Sequence, residues 1–484
     1  MTQERDTRVE TDLLGTREIP GDAYWGIHTL RAVENFRLNG ETVGSTPQLV
    51  RAIASVKEAA AQANMELGLL APRVGHAIVS ACRDLRAGQL HEQFPVPLIQ
   101  GGAGTSTNMN SNEVIANRAL EYMKEAKGSY ALVGPNEHVN MGQSTNDVYP
   151  TALKIATIWG CRALAEALGK FERSCERKAR EFDHIVKMGR TQLQDAVPMT
   201  LGQEFRSYAV TIREDVARLG EAVANLHEIN MGATAIGTGL NAHPRYAALV
   251  RDKLASLTGL PLTTSPDLVE ATQDCGVFVL ISATVKRAAV KLSKISSDLR
   301  LLSSGPRAGL GEINLPPRQA GSSIMPGKVN PVIPELVNQV AFEIIGADVT
   351  ISMAAEAGQL QLNAFEPIIA ASLFRSIDHL RGAAESLADL CVDGISANEH
   401  TLEKHLARSI GVITALSPYL GYQTSGEIAA ESLRTGRTVV DLVVARGLLD
   451  PGLLARLLQP QVIAAGGHVF PEGESASVLS PTDL

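Results

Sequence analysis

The chain has 484 residues, of which 45% are apolar and 20% are charged, so it has the composition of a soluble globular protein with two to four domains. Its 44 Lys and Arg residues stand against 52 Asp and Glu residues without a basic block, so nucleic acid is not an expected partner. Only 4% of the residues are aromatic, which favours a core of aliphatic side chains between packed helices.

The N-terminal sequence, residues 1–6 (MTQERD), is charged and lacks the apolar core of a signal peptide. No stretch approaches eighteen uncharged apolar residues, so we expect a cytoplasmic protein without a membrane partner. The five cysteines form no CxxC pair, and the eleven histidines show no HxxxH or HxH spacing. This pattern predicts neither a disulfide framework nor a zinc site, and we expect no cofactor and no bound metal.

Residues 1–142 are interrupted by turns that contain glycine and proline, and we predict a mixed, mostly helical N-terminal domain there. Residues 143–397 contain long segments with apolar residues at three- and four-residue spacing, which predicts a central domain of long helices. Shorter helical patterns follow, so residues 398–484 form a predicted small helical C-terminal domain. The long segments are 151–186, 203–230, 267–302 and 335–358.

The segment 267–302 is apolar around much of its circumference and would be about 50 Å long as a helix. One chain would struggle to surround such a helix, whereas an oligomer can bury it on several sides. We therefore predict a mainly α fold with three domains, whose central long-helix bundle lies at the core of an oligomer.

Three segments are rich in small hydroxyl and amide side chains, namely 101–110 (GGAGTSTNMN), 142–147 (GQSTND) and 189–195 (GRTQLQD). Each joins or starts a predicted helix, where free backbone N–H groups and the helix dipole favour a bound anion. The same residue types are the preferred N-caps, so any one segment alone indicates a helix cap. Together with a fourth segment, they suggest a polar pocket for a small, oxygen-rich anion.

The fourth segment, residues 321–331 (GSSIMPGKVNP), combines two adjacent hydroxyls, a lysine and an amide between glycines and prolines. We interpret it as a reactive loop that brings backbone N–H groups, a hydroxyl base and a positive charge onto one small anion. A phosphate-binding P-loop is excluded, because five residues separate its glycines where that motif has four, and Val329 replaces the magnesium-binding hydroxyl. An ordinary surface connection is the alternative for a loop of this composition.

The four segments together resemble the motifs of the aspartase/fumarase superfamily, whose members eliminate a group from a succinyl skeleton to leave fumarate. Loop 321–331 is similar to the superfamily signature almost letter for letter, and the similarity covers nearly the whole chain. The resemblance implies a homotetramer with active sites shared between subunits, because the motifs meet only between subunits in this superfamily. Other similar segments are 14–20, 101–117, 139–150, 187–204, 358–367 and 409–421.

Several positions resemble the superfamily members that reversibly deaminate L-aspartate to fumarate and ammonia, rather than the fumarate hydratases. Segments 28–36, 330–335 and 360–363 are similar to the ammonia-lyase versions. Gln192 is the sharpest of these positions, because hydratases of the superfamily generally have histidine there. The resemblance thus implies an aspartate-deaminating lyase that needs neither cofactor nor metal.

The resemblance further implies that Ser322 is the general base, acting as an alkoxide whose pKa must lie far below that of a free hydroxyl. Adjacent backbone N–H groups and Lys328 could supply that shift. Lys328 and Asn330 match positions that bind the other, fixed carboxylate. The residues implied to contact the reacting carboxylate and to stabilise its enolate-like form are Thr105, Ser144, Thr145 and Ser323.

The amino group of aspartate needs hydrogen-bond acceptors, and Asn146, Thr191 and Gln192 each offer an oxygen. A protonated histidine at position 192 would repel the ammonium, although a neutral one would serve, so Gln192 supports the ammonia-lyase interpretation without deciding it. Asn330 precedes Pro331, so a helix cap with proline at the first helical position is an equal alternative to substrate binding.

Two other functions fit the same motifs. A fumarate hydratase would use this loop to convert L-malate to fumarate and water. A non-enzymatic structural protein that kept the fold is the second alternative, and Ser322, Lys328 and Asn330 argue against it because such a protein needs no base. The glycines of the loop also suggest that it closes over bound substrate and opens for release.

Overall fold

The computed structural model describes residues 7–459 and residue 462, and α-helices make up most of this part of the chain. The predicted mainly α fold is therefore confirmed. The outer ends of the first and last predicted domains, residues 1–6 and most of the stretch after 459, lie outside the described residues.

The helices include several of more than twenty residues. The earlier ones are α1 (Ile27–Asn35), α2 (Pro47–Glu66), α3 (Pro72–Arg86), α4 (Thr105–Tyr122), α5 (Thr145–Glu181), α6 (Leu201–Ala224) and α7 (Tyr246–Thr258). The later ones are α8 (Glu270–Gln273), α9 (Gly276–Leu302), α10 (Val332–Glu356), α11 (Glu366–Leu390), α12 (Glu399–Arg408), α13 (Val412–Leu420), α14 (Tyr422–Thr435), α15 (Val439–Ala445) and α16 (Pro451–Leu457).

The strands of the described chain pair only two by two. Antiparallel hairpins are formed by β1 (Thr7–Asp12) with β2 (Gly15–Pro20), and by β3 (Val186–Thr191) with β4 (Gln194–Thr200). The remaining strands have two residues each. They are β5 (Glu228–Ile229), parallel to β6 (Thr263–Thr264), and β7 (Ile313–Asn314), antiparallel to β8 (Ser396–Ala397).

The predicted long helices correspond to α5, α6, α9 and α10, with one correction. The segment 267–302 is not continuous, because the backbone of Asp274 is extended and ends α8. The Asp274 carboxylate then accepts a hydrogen bond from the backbone N–H of Gly276, 3.0 Å away, at the start of α9. A local side-chain cap therefore divides a segment whose apolar pattern runs on without a break.

Helix α5 contains Pro150, five residues after its start. A proline inside a helix leaves the carbonyl four residues earlier, here that of Asn146, without its helical donor. The side-chain amide of Asn230 donates to that carbonyl at 2.9 Å. This replacement hydrogen bond explains how the helix tolerates proline close to a predicted substrate-binding residue.

The described residues fall into two compact units, each built from separate stretches of chain. The first unit comprises the described residues of Met1–Glu166, Asp215–Val290 and Val340–Gly382. The second comprises those of Ala167–Glu214, Lys291–Gln339 and Ala383–Leu484. The three consecutive domains predicted from the sequence are a different division of the chain, and they stay a prediction.

In the first unit, α4 is buried along nearly its whole length although much of its sequence is polar. Asn108, Asn110, Asn112 and Asn117 on this helix are all 2% exposed or less. Buried amides require hydrogen-bond partners, so this helix must carry a side-chain network through the core of the unit.

The second unit contains the C-terminal helices α13 to α16, which share an apolar core. Leu416, Ile428, Val443 and Leu457 are among its buried members. Glycines 421, 436 and 447 adopt positive φ between or after these helices, as is usual where a helix ends.

Helix α10 has an exposed apolar face in the single chain. Phe342, Ile345, Val349 and Met353 recur at three- and four-residue spacing, and their exposed fractions range from 42% to 67%. By length and composition alone, α10 is also the one helix of the described chain that could cross a membrane, and a third of its most apolar window is buried. A single such helix is weak evidence for a membrane, because the core helices of soluble proteins pass the same test.

All five cysteines are buried and none forms a disulfide. They are Cys82, Cys161, Cys175, Cys275 and Cys391. Burial raises the pKa of every one of these thiols above its ordinary value.

Candidate active site

The ten predicted site residues are divided between the two units. Thr105, Ser144, Thr145 and Asn146 belong to the first unit. Thr191, Gln192, Ser322, Ser323, Lys328 and Asn330 belong to the second.

Thr105 is the first residue of α4 and is exposed at the end of an unusual turn. Gly102, Ala103 and Gly104 all have positive φ, of 90°, 55° and 88°. A Cβ at Gly104 would lie 2.5 Å from the ring of Tyr149, so only glycine fits between this turn and the ring. The turn therefore determines the position of Thr105, whose side chain is exposed at the start of α4.

Ser144 caps α5. Its hydroxyl accepts from the backbone N–H of Asn146 at 3.2 Å, and its own N–H donates to the carboxylate of Asp147 at 3.0 Å. The capping alternative considered for segment 142–147 is thus realised at Ser144. Because the oxygen accepts, the hydroxyl hydrogen points elsewhere and remains able to donate to an anion.

Thr145 and Asn146 have equally definite hydrogen-bond polarity. The oxygen of Thr145 accepts from the side-chain amide of Asn108 at 3.1 Å, which leaves its hydrogen to donate. The amide nitrogen of Asn146 donates to the carbonyl of Ala235 at 2.7 Å, which leaves its amide oxygen as the free end. A donor at 145 and an acceptor at 146 are what a carboxylate and an ammonium require, respectively.

Two buried ionisable residues in the same unit, Asp147 and Lys57, were not predicted from the sequence as functional residues. Asp147 accepts from the backbone N–H groups of Gly232 and Thr234 at 3.1 and 3.0 Å. Burial raises its pKa to about 7, although these hydrogen bonds act to lower it. Lys57 donates to the side-chain oxygens of Asn140 and Gln143, both at 2.9 Å, and burial lowers its pKa to about 7. The available signal for Lys57 was its position as the one cation within the alanine-rich stretch 52–61.

Thr191 and Gln192 lie at the tip of the β3–β4 hairpin. Thr191 pairs with Gln194, so Gln192 and Leu193 form a two-residue turn, with φ of 54° and 63°. Positive φ at both positions is the geometry of a type I′ turn, which matches the twist of the strands. All four residues are exposed, so the side chain of Gln192 is accessible at a two-residue turn.

A buried ion-pair cluster holds strand β3 of this hairpin. The carboxylate of Glu312 is fully buried and lies 2.6 Å from Arg190, 3.1 Å from Lys187 and 3.2 Å from Nδ1 of His405. Burial alone would raise the pKa of Glu312, but the hydrogen bond from Arg190 and the two cationic charges outweigh it and lower the pKa. Glu312 therefore stays ionised and ties strand β3 to the chain just before β7.

Loop 321–331 has no helix or strand until α10 begins at Val332. The backbone N–H of Gly321 donates to the carbonyl of Lys328 at 2.9 Å, which joins the two sides of the loop. A Cβ at Gly321 would lie 2.3 Å from that carbonyl oxygen, so this position must be glycine. Gly327 has φ of 83°, the left-handed conformation that glycine adopts without cost.

Ser322 lies inside this loop with its hydroxyl oxygen in a nest of backbone donors. The N–H groups of Ile324 and Met325 donate to it at 3.2 and 3.0 Å. Two donors aimed at one oxygen stabilise its deprotonated form, so the geometry supports the predicted lowering of the hydroxyl pKa. Ser323 and Lys328 are exposed on the same loop.

Asn330 makes a contact that was not anticipated. Its side-chain amide donates to the carbonyl of Gly321 at 2.8 Å, across the base of the loop. This contact is neither a helix cap nor a substrate contact, and both of those roles stay predictions. It does show that the side chain helps to define the shape of the loop around Ser322.

The structure thus presents three groups with complementary chemistry. The first unit offers hydroxyl donors and one amide acceptor at the start of α5, together with Thr105 at the start of α4. The hairpin offers Thr191 and Gln192, and the loop offers Lys328 and the hydroxyl of Ser322, which accepts from two backbone N–H groups. Such groups can bind an anion, accept from an ammonium and abstract a proton. Within the residues described, no group of three or more His, Cys, Asp or Glu side chains has the arrangement of a metal site.

Comparison with known families identifies the chain. A family model described as Lyase matches residues 15–346, and one described as Fumarase C C-terminus matches residues 412–464. The chain belongs to the aspartase/fumarase superfamily. The membership predicted from the four motifs is therefore confirmed.

Individual members of the superfamily match over nearly the full chain. Aspartate ammonia-lyase of Pseudomonas fluorescens is 56% identical over 466 residues, which are 96% of this chain and 98% of that protein. The aspartate ammonia-lyase of Escherichia coli (strain K12) is 52% identical over 455 residues, 94% of this chain and 95% of that protein.

Solved structures from the superfamily have the same fold. A fumarate lyase:delta crystallin from Brucella melitensis, bound to cobalt, is 53% identical with a TM-score of 0.92, and the match covers 96% of this chain and 100% of that chain. A class II fumarase from Schistosoma mansoni is 33% identical with a TM-score of 0.90, and the match covers 95% and 99%.

Proposed function

We propose that this chain is a carbon–nitrogen lyase that reversibly deaminates L-aspartate to fumarate and ammonia. The observation that carries the proposal is the full-length identity of 52–56% to proteins named aspartate ammonia-lyase, against 33% to a class II fumarase. The hydrogen-bond polarity at Asn146 supports the same reaction, because its free amide oxygen suits an ammonium group.

The reaction begins with Ser322 as the general base. Its oxygen, stabilised as an alkoxide by the N–H groups of Ile324 and Met325, takes the proton from the carbon next to one carboxylate. The electron pair of the broken C–H bond moves into that carboxylate, which becomes a doubly charged, enolate-like group. Stabilising this charge is the main energetic task of the site.

Hydroxyl donors carry that task in the proposed mechanism. Thr105, Ser144, Thr145 and Ser323 donate to the enolate-like carboxylate, while Lys328 and Asn330 bind the other carboxylate. The electron pair then returns to form the C=C bond as the C–N bond breaks and ammonia leaves. Asn146, Thr191 and Gln192 accept hydrogen bonds from the departing nitrogen and orient it for loss.

We further propose that the enzyme is a homotetramer with active sites shared between subunits. The apolar face of α10 supports self-association, because Phe342, Val349 and Met353 are each more than half exposed in the single chain. Light scattering should give a mass of about four times the 51.5 kDa of one chain. A fully active monomer would contradict this part of the proposal.

Sharing of sites predicts complementation between inactive variants. Mixed tetramers of Ser322→Ala and Ser144→Ala subunits should regain activity that neither variant has alone, because some sites then combine two intact contributions. Hybrids without any regained activity would show that each site draws both residues from one chain.

The function itself is tested by following the ultraviolet absorbance of the fumarate double bond with L-aspartate and L-malate in parallel. Turnover of L-aspartate with little or none of L-malate is the expected result. The opposite preference would make the protein a fumarate hydratase, and turnover of neither would favour a structural protein that kept the fold.

A further inference from the structure

A chain of side-chain hydrogen bonds runs through the first unit and ends at Thr145. The ammonium of Lys57 donates to Oδ1 of Asn140 at 2.9 Å. The side-chain nitrogen of Asn108 donates both to that same Oδ1, at 3.2 Å, and to Oγ1 of Thr145, at 3.1 Å. Lys57, Asn108 and Thr145 are 0%, 2% and 8% exposed, so these contacts lie in the interior.

The polarity of this chain is fixed at its inner end. The amide nitrogen of Asn140 donates to the backbone carbonyl of Gln143 at 3.2 Å, so the opposite end of the Asn140 amide must be its oxygen. Lys57 points at this oxygen and at the side-chain oxygen of Gln143, and it has the two N–H donors for these contacts in either protonation state. Asn140 Oδ1 is therefore an acceptor.

That polarity determines the orientation of Asn108. A group that faces Asn140 Oδ1 has to be a donor, so Asn108 presents its NH₂ end there. The second hydrogen of this NH₂ points at the oxygen of Thr145. Since the oxygen of Thr145 accepts in this direction, its own hydrogen has to point away from Asn108 and out of the network.

We propose that Asn108 is a positioning residue that sets the hydroxyl of Thr145 as a hydrogen-bond donor toward the reacting carboxylate. This inference rests on the proposed function, in which Thr145 stabilises the enolate-like carboxylate. Asn108 touches no substrate; it acts by removing the competing orientation of the hydroxyl, so the donor is in place before charge develops. Donors preorganised in this way need no reorientation during the reaction.

Asn112 offers a matched comparison on the same helix. It is fully buried, and its side-chain nitrogen donates to Asn140 Oδ1 at 3.3 Å, as that of Asn108 does. In both residues the amide oxygen is buried without a hydrogen-bond partner among the described residues. The second contact of Asn112 is with the sulfur of Met109, whereas that of Asn108 is with Thr145. The two asparagines therefore differ in whether they reach the Thr145 hydroxyl.

The experiment compares Asn108→Asp with Asn112→Asp in steady-state deamination of L-aspartate. An aspartate at 108 accepts from Thr145 and turns its hydroxyl inward, so kcat should fall about 100-fold with a smaller change in KM. Asn112→Asp buries the same charge beside the same Asn140 oxygen and should keep kcat within about threefold. Equal losses in both variants would overturn the proposal.

A double-mutant cycle with Thr145→Val separates positioning from packing. If Asn108 acts through the hydroxyl of Thr145, Asn108→Asp should cost less than about threefold in the Thr145→Val background. An undiminished loss in that background would show that Asn108 acts by another route and would overturn the proposal.

Two further controls keep the test decisive. Circular dichroism and thermal unfolding establish that each variant folds. If Asn108→Asp does not fold, Asn108→Ala and Asn112→Ala replace the two aspartate variants. The expected loss of kcat is then about tenfold for Asn108→Ala and absent for Asn112→Ala. Wild-type turnover is measured alongside. Absence of wild-type deamination would refute the proposed function, whereas an active wild type with equally active Asn108 and Asn112 variants would refute this inference alone.

Discussion

The start of α5 and loop 321–331 are both polar, but they are built by opposite means. At the start of α5, buried side chains hold the polar residues in place: the Asn108 amide donates to the Thr145 hydroxyl, and the Asp147 carboxylate accepts from the backbone N–H of Ser144. In the loop, backbone N–H groups make most of the contacts, through the Gly321–Lys328 hydrogen bond and the N–H groups that point at Ser322, and the Asn330 side chain adds one more. The α5 residues are buried or half-buried, whereas most of the loop is exposed.

This difference separates two tasks. Groups that stabilise developing charge gain from fixed orientation, which buried side-chain networks provide. A base that must meet substrate and then release product gains from an exposed loop, where backbone N–H groups travel with the base whenever the loop moves. Side-chain changes should therefore act most strongly near α5, and backbone changes most strongly in the loop, with the base itself as the exception.

The largest expected effect is that of Ser322→Ala. Loss of the general base should lower kcat at least about 1,000-fold while L-aspartate still binds, because the carboxylate contacts remain. Turnover assays and isothermal titration calorimetry measure the two quantities. If turnover persists at more than about a tenth of the wild-type rate, Ser322 is not the base, and the comparison no longer assigns proton abstraction to the loop.

Glu366, a buried carboxyl in the first unit, allows the free-energy cost of a buried ionised group to be measured. Burial raises the pKa of Glu366 to about 8, so between pH 4.5 and 8 the folded state binds more protons than the unfolded state. The contribution of Glu366 to stability should therefore fall as the pH rises through this range, by about 5 kcal/mol in total. Glu366→Gln cannot ionise, so its melting temperature should rise relative to wild type between pH 5 and 8 in scanning calorimetry.

The control for this measurement is Glu385→Gln, an exposed position on the same helix, α11. Its melting temperature should follow that of the wild type at every pH. A Glu366→Gln variant that also follows the wild type would mean that Glu366 titrates normally.

In the loop, Gly321→Ala tests whether the backbone sets the geometry. The added Cβ would lie 2.3 Å from the carbonyl of Lys328 and 2.9 Å from the nitrogen of Asn330, so the two sides of the loop have to separate. A displacement of this size should lower kcat about 10- to 100-fold. Gly327→Ala has no atom within 4 Å of its Cβ and bears only the strain of its positive φ, so it should lose much less. Similar losses for both would point to glycine strain rather than to the cross-loop hydrogen bond.

The smallest effect concerns the leaving group. His tolerates the left-handed backbone of position 192, so Gln192→His should keep the hairpin intact. Relative to wild type, its kcat/KM for L-aspartate should be within about threefold at pH 8 and fall about tenfold by pH 6, because the imidazole gains a positive charge near its ordinary pKa of about 6.5. Gln194→His, across the same turn, serves as the control. A ratio to wild type that does not vary with pH would remove position 192 from contact with the ammonium.

The sequence predicted the loop better than the α5 region, for a physical reason. Glycine and proline act on the local backbone, so their pattern in 321–331 was sufficient to predict an irregular segment, although not its chemistry. The burial of Lys57 and the orientation of Asn108 depend on residues more than thirty positions away, which no local pattern encodes. The role of each site residue came from the superfamily motifs and not from spacing.

Two misses have similar explanations. The β3–β4 hairpin was not anticipated, because its turn is Gln192–Leu193 rather than the Asn-Gly pair that signals a type I′ turn. Glu312 was not singled out, since a lone acidic residue is indistinguishable in sequence from a solvated one until Arg190 and Lys187 are found beside it.

The burial of all five cysteines has a practical consequence. Thiolates are the reactive form, and these thiols are both inaccessible and hard to ionise, so alkylating reagents should leave the native protein unmodified. A cysteine introduced at Ile324, which is 82% exposed at the tip of the loop, would then carry a fluorescent label alone, without removal of any native cysteine. The wild-type background is in this sense already prepared for watching, in real time, whether the loop moves when a dicarboxylate binds.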